Sequence, residues 1–391
     1  MAATVYTPFL FIAAPADPTK QDTVNKLRDK LSSKHNDYAE VFPFSLPEFK
    51  VGTLDQLVVL SDELSKTDMA AEAVAIKIAD NMRNLLNQDL DQWKNNLSVQ
   101  DKSIDAYLRG FQWNSMKYRT DKALKELADL IIQEVNQIDT LMKTKMTAYT
   151  TVKSALQGIQ RKQTGNLAVR SLNDIVKKDH IIHDSEYLTT LIVAVPKSAA
   201  TEWINKYETL TQMVVPRSSQ KIAEDEEYAL FTVTLFQRVV DEFTHKAREN
   251  KFIVRDFKWD VAAMQAERKA LAEMGATERE QWTTLLRLCK ANFGEAYACH
   301  VHIKALRVFV ESILRYGLPP NFQPMVIKAK PKQERKVRDQ LNRHFARLAG
   351  VAGSSASGGT EDAQLEENLA ALIGDKDYMP CVAFYINPIL Q

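Results

Sequence analysis

Apolar residues along this chain fall at two spacings, and the switches between them mark its elements. Alternating aromatic and β-branched residues over Val5–Ala14 predict a first strand. Asp17 as a cap, with Pro18 in the first helical position, predicts a helix to about Leu31. Pro43 and Pro47 break the chain before Leu54–Leu64. Helical patterning resumes over Lys66–Leu90, where Val74, Ile78, Met82, Leu85 and Leu86 share a face.

The longest signal is Phe111–Gln157, which contains neither proline nor glycine. Read as one α-helix it spans about 70 Å, long for a compact domain, so part of it is expected to project as a spacer. With Leu124 in heptad position a, the a series is Leu124, Ile131, Ile138, Lys145, Val152 and Ile159. The d series is Leu127, Glu134, Leu141, Ala148 and Ala155, and Val135, Met142, Tyr149 and Leu156 widen the stripe. Glu134 and Lys145 interrupt it and are expected to leave the pairing compliant. The partner is either a second copy or the later helical stretch Asp260–Phe293, where Met264, Leu271, Trp282, Leu285 and Cys289 share a side and Gly275 is a mild break. On this reading Ile131→Asp and Leu141→Asp both disrupt the seam.

Between these stretches the period shortens. Tyr187–Val195 reads as a buried strand ended by Pro196, Ser198–Leu210 as a helix, and Met213–Ala223 and Tyr228–Phe236 as strands. Gln237–Asn250 is helical and Phe252–Phe257 a final strand. The order β-α-β-β-α-β predicts a split βαβ domain with a mixed sheet covered by helices. Further on, His300–Tyr316 reads as a helix stopped by Gly317, Pro319 and Pro320. Met325–Ala329 and Cys381–Ile386 are strands, with a helix over Lys332–Leu348 and a flexible insert Gly350–Thr360 between them. These last strands are expected to join the first. The fold class is therefore α+β, an elongated dumbbell of two mixed α/β ends joined by a long antiparallel helical neck. Its segments are 1–115 (foot), 116–165 (neck out), 166–257 (head), 258–294 (neck back) and 295–391 (foot, with the insert at 350–362).

Composition adds limits. Net charge is +1 over 391 residues, so the whole chain is not drawn to nucleic acid or anionic membrane. Three cysteines make an odd, sparse set, which predicts a reducing compartment and no disulfide framework. The N-terminal apolar run lacks a preceding positive charge and fits a strand better than a signal peptide, and nothing is long enough to span a bilayer. A cytoplasmic protein is expected.

Chemistry is scarce. No phosphate-binding glycine loop occurs, and the serines near Ser354 lie in the insert rather than at a nucleophile elbow. Cys289, Cys299, His300 and His302 fail the spacing of a tetrahedral metal site, and His180 and His183 lack completing ligands. No catalytic, cofactor or metal residue is assigned. The acidic run Glu224, Asp225, Glu226 and Glu227 reads either as a solvated turn or as a docking patch for a basic helix. Lys328–Arg347 carries eight Lys or Arg against Glu334 and Asp339, a solvated face or a contact for an acidic partner or membrane.

Six stretches occur together in this chain: Leu46–Lys66 (LPEFKVGTLDQLVVLSDELSK), Val169–Asp174 (VRSLND), Tyr187–Lys197 (YLTTLIVAVPK), Ile222–Phe231 (IAEDEEYALF), Lys251–Phe257 (KFIVRDF) and His302–Phe322 (HIKALRVFVESILRYGLPPNF). In that order they resemble the C subunit of the eukaryotic vacuolar-type proton-pumping ATPase (V-ATPase). Ala13–Glu40 and Gly350–Asp362 depart from the family pattern. The resemblance implies a non-catalytic stator component with no cofactor. Its head would grip a peripheral E-G stalk, and its foot would meet a second E-G stalk and the N-terminal domain of the membrane-sector a subunit. It also implies reversible release from the pump, peripheral placement on the cytosolic face of vacuolar or endosomal membranes, and a link to actin. A coiled-coil tethering or cytoskeletal adaptor is the competing expectation.

Overall fold

The computed structural model describes residues 7–33, 37–183, 185–349 and 379–389. In chain order it holds β1 (Phe9–Pro15), α1 (Lys20–Leu31), β2 (Ala39–Pro43), α2 (Leu54–Leu85), α3 (Leu90–Asn96), β3 (Ser98–Val99), β4 (Lys102–Ser103), α4 (Ile104–Arg109) and α5 (Leu124–Thr164). There follow β5 (Leu188–Pro196), α6 (Ala200–Lys206), β6 (Lys221–Glu224), β7 (Tyr228–Phe236), α7 (Val240–Glu249), β8 (Ile253–Arg255), α8 (Val261–Tyr316), β9 (Phe322–Ala329), α9 (Glu334–Phe345) and β10 (Val382–Ile386). The fold is α+β, with long helices and antiparallel sheets. Two compact units result, Met1–Lys145 with Thr284–Gln391, and Met146–Thr283.

The first unit gathers strands from both ends of the sequence. Its sheet has the order β10-β1-β9-β2, every pairing antiparallel, with Phe11 opposite both Phe384 and Val326. The last strands thus join the first, as expected. On one face α1 sets Val24, Leu27 and Leu31, and α9 sets Val337, Leu341 and Phe345, against Leu10, Ile12, Met325 and Ile327. Each such fully buried side chain contributes about 1.5–3 kcal/mol of transfer free energy. Phe11 on the other face meets Phe44 and Phe111 at 5.4 and 5.8 Å between ring centroids. A strand buried on both faces has no reason to alternate strictly, which is why FLFIAA runs apolar. The cap of α1 is Thr19 rather than Asp17, because the Thr19 hydroxyl accepts from the Asp22 N–H at 3.1 Å. Asp17 pairs with Lys26 and Arg347 instead. The insert Gly350–Thr360 lies outside the described residues.

The second unit carries the expected β-α-β-β-α-β order. Its sheet runs β6-β7-β5-β8 and is antiparallel throughout, not mixed. The outer strand β6 is only Lys221–Glu224, a bulge separating Lys221 from Ala223, while Val214 makes a lone bridge to Leu235. One face is covered by α6 and α7 through Trp203, Phe243 and Ala247. The other is covered by irregular chain carrying Leu167, Leu172 and Val176. Counted within each four-stranded sheet, the strands stand fourth-first-third-second in the first unit and second-third-first-fourth, the same order reversed, in the second. In the first unit, α1 and α9 complete the same split βαβ topology, with the whole second unit inserted between its second and third strands.

The three longest helices depart from their predicted bounds. α2 is continuous from Leu54, where the Thr53 hydroxyl and the Gln56 side chain form a capping box after Gly52, at φ 64°. α8 runs through both Gly275 and Gly294 for 56 residues, about 84 Å, so Asp260–Phe293 and His300–Tyr316 are one helix. It stops at Gly317, as expected, whose N–H bonds the Ile313 carbonyl at 2.8 Å. α5 by contrast begins at Leu124, not Phe111. In the preceding segment Phe111, Trp113 and Tyr118 bury their rings around His302, and that packing overrides the mere absence of proline and glycine.

The stripe on α5 also drifts. Leu124, Leu127, Ile131 and Ile138 are buried as expected, but farther along the buried row is Val135, Met142 and Tyr149, while Leu141 is 41% exposed. A straight helix slips about 20° per heptad against a 3.5-residue repeat, which carries d positions out and their neighbours in. Glu134 is no flaw in the seam, since Lys117 and the Tyr118 hydroxyl hold its carboxylate. Lys145 is exposed.

Candidate interaction surfaces

The acidic run sits where β6 turns into β7 in the second unit. Glu224 lies 2.8 Å from Lys197 Nζ and also pairs with Lys221, and these two ammonium groups hold its carboxyl at about 2. Asp225 builds the turn. It accepts from the backbone N–H groups of Leu167, Glu227 and Tyr228 at 2.6, 2.9 and 2.6 Å. Burial opposes its charge, but those donors outweigh it and keep the carboxyl below its ordinary range. Glu227 accepts from the Asn166 amide at 2.8 Å. Glu226 is exposed and has no bonded partner among the described residues. The four acids are therefore brought together by sequence but divided in work: two are neutralised or bonded, one caps, and one is open to solvent.

The three cysteines, His300 and His302 pack inside the first unit. Cys289, Cys299 and Cys381 are free and buried, and burial pushes each thiol up to about 12. His302 stands among Phe111, Trp113 and Tyr118. Its Nδ1–H donates to the Ala298 carbonyl at 2.7 Å and Nε2 accepts from the Asn114 N–H at 3.2 Å. His180 and His183 knit their own loop in the second unit, to the Lys177 N–H and the Lys178 carbonyl. No metal-holding group of His, Cys, Asp or Glu occurs among the described residues.

Sequence reasoning missed Asp68. It lies on the inward row of α2 with Leu64, Ala71 and Ala75, 2% exposed, facing His300, Lys304 and Arg307 of α8. Lys304 Nζ is 2.7 Å away and His300 Nδ1 3.3 Å, off-line for a good hydrogen bond, while Arg307 bonds the same carboxylate. Burial penalises the Asp68 charge, but His300 and Lys304 outweigh it and hold the carboxyl well below its usual range. The signal was present: an acid on an apolar row of α2, and a lysine within HIKALRVFV. The arrangement is a structural brace that ties α2 to α8.

The basic stretch Lys328–Arg347 is partly spent. Lys328 pairs with Asp105, Lys330 with Asp37 and Arg347 with Asp17. Lys336 stands 5.5 Å above the Tyr38 ring. No helix among the described residues is long and apolar enough to cross a membrane.

Comparison with known proteins draws these features together. A family model describing the V-ATPase C subunit matches residues 9–382. The C subunit of the V-type proton ATPase of Manduca sexta is 42% identical over 380 residues, covering 97% of each chain. The C 1 subunit of the V-type proton ATPase of Mus musculus is 44% identical over 348 residues, 89% of this chain and 91% of that one. Among solved structures, the cytoplasmic N-terminal domain of the V-ATPase I subunit, a homolog of the a subunit, covers 86% of this chain and 97% of its own. Its TM-score of 0.32 and 14% identity carry no argument about this fold. On the family match and these identities, this chain belongs to the family of V-ATPase C subunits.

Proposed function

We infer that this chain is a non-catalytic peripheral stator component of the vacuolar-type proton-pumping ATPase. It bridges peripheral E-G stalks and the N-terminal domain of the membrane-sector a subunit, on the cytosolic face of the membrane. The observation that carries this reading is the pair of units with one sheet topology, each with its own core. A rotary motor needs static parts that resist rotor torque, and a chain with two like units can engage two like stalks. Individually moderate contacts then reinforce each other through effective concentration, and loss of one loosens the rest, which suits controlled assembly and release. In the second unit the turn Glu224–Glu227 is the candidate contact, with Glu226 the residue facing the partner.

Purified full-length chain titrated with E-G heterodimer tests this. Two heterodimers bound per chain are expected, with the second unit's site weakened by Glu226→Lys. Absence of any E-G binding sinks the stator reading.

A further inference from the structure

The outer surface of the first unit carries more positive charge than its own ion pairs absorb, and the stator reading does not use it. α1 and α9 lie over the same sheet face. On α9, Lys336, Arg343 and Arg347 follow at intervals of seven and four residues, which places them in one row along the helix and its short extension. On α1, Lys26 and Lys30 are one turn apart. All five side chains are exposed. The rows meet at Asp17, which lies 3.2 Å from Lys26 of α1 and pairs with Arg347 beyond α9. Burial and then the nearby charges of Arg347, Lys30 and Lys26 push the half-buried His344 imidazole below its usual range. Asp29 and Asp339 are exposed beside the two rows. Lys20–Leu31 and Glu334–Arg347 still carry nine Lys or Arg against Asp22, Asp29, Glu334 and Asp339. The whole chain has a net charge of only +1, so this seam is a local concentration rather than a reflection of composition.

We propose that the seam between α1 and α9 binds an anionic phospholipid surface, the phosphate and carboxylate headgroups meeting Lys26, Lys30, Lys336, Arg343 and Arg347. The form of the site favours a bilayer over an acidic protein. A protein contact is anchored by buried aromatic or aliphatic side chains. No exposed large apolar residue stands on α1 or α9 among the described residues. A bilayer surface requires only clustered Lys and Arg on flexible stems, each strengthening binding roughly fivefold. This contact is separate from the stator reading, since it belongs to the isolated chain and needs no other component of the pump.

Flotation of the full-length chain with vesicles tests it. Vesicles of phosphatidylcholine with phosphatidylserine are expected to carry the chain, raised salt to release it, and phosphatidylcholine alone to leave it behind. Lys30→Glu with Arg343→Glu should lower binding roughly tenfold or more. Lys102→Glu with Lys290→Glu changes net charge equally at exposed positions away from the seam and should leave binding nearly intact. Unfolding midpoints of both double variants establish that they are folded. If the seam reversal unfolds the chain, Lys30→Gln with Arg343→Gln replaces it, with a smaller drop expected. Failure to bind acidic vesicles, retention by the seam variant, or equal loss in both pairs overturns the proposal. So does loss of ATPase components from a pull-down of the seam variant without vesicle binding by the parent chain, which would make the seam a protein contact.

Discussion

The ammonium of Lys304 lies 2.7 Å from Asp68 Oδ2 inside the first unit, with both side chains at or below 5% exposure. One carboxylate there answers for both Lys304 and Arg307, so removing it leaves the Lys304 ammonium buried without a counter-charge. Breaking a buried pair from one side typically costs about 3–5 kcal/mol. Asp68→Asn is expected to lower the unfolding free energy by that amount in urea titrations. Adding Lys304→Met to Asp68→Asn should recover part of the loss, because it removes one stranded charge. A double variant no more stable than the single would show that the cluster is not governed by charge.

His302 gives the first unit an acid-side weakness. Burial is the main cause of its lowered basicity, and it holds the imidazole at about 4 against 6.5 in an unfolded chain. A depressed value means that stability is full above about pH 6.5 and is lost as pH falls towards about 4. The shift corresponds to about 3 kcal/mol at most. His302→Gln keeps a polar side chain without the titration. Its stability should start lower but change less between pH 6.5 and 4 in parallel denaturation curves. Equal slopes in both proteins would remove His302 from the account.

The acidic turn separates scaffold from surface. Asp225→Ala removes the acceptor of three backbone N–H groups and should destabilise the second unit by about 1–3 kcal/mol. Glu226→Lys touches no bonded partner, so thermal stability should hold while E-G binding weakens. If Glu226→Lys instead lowers the melting temperature as much as Asp225→Ala, the turn is scaffold throughout.

What the chain discloses without its structure depends on how local the cause is. Tyr228–Phe236 is legible to the residue, and Tyr187–Val195 to within one, because a buried strand writes itself as an apolar run. The split βαβ order of the second unit follows from consecutive elements. The same topology in the first unit is hidden, since β2 and β9 are separated by the inserted unit, and only pairing reveals them as neighbours. Phe111–Ala123 misleads because helix propensity is a weak prior where three aromatic rings have a better place to go. The Asp68 brace joins residues more than two hundred positions apart, beyond any local period.

The seam on α5 offers a direct test of helical drift. Met142 is 1% exposed and Leu141 41%. Met142→Asp should therefore cost several kcal/mol by placing a charge in the interior. Leu141→Asp, disruptive on the heptad reading, should change stability by about 0.5 kcal/mol or less. Ile131→Asp remains disruptive, because Ile131 is fully buried under either reading. Denaturation midpoints of the three variants decide it, and a larger loss for Leu141→Asp than for Met142→Asp would restore the strict heptad.

The two glycines of α8 should respond to alanine with opposite signs. In a helix interior, alanine is favoured over glycine by up to about 1 kcal/mol, because it restricts the unfolded chain. At Gly275 an added Cβ would find only the tip of Arg279, 3.9 Å away, so Gly275→Ala is expected to stabilise by about that amount. At Gly294 the same atom would stand 2.9 Å from the Ser98 carbonyl oxygen and 3.6 Å from Val99 Cα, both backbone of β3. Backbone cannot swing aside as a side chain can. Overpacking of this kind costs about 1–3 kcal/mol, more than the propensity gain. Gly294→Ala should therefore lower the unfolding midpoint while Gly275→Ala raises it. A stabilising Gly294→Ala would mean that β3 yields freely, and that the close approach of α8 to Ser98 is not what requires glycine there.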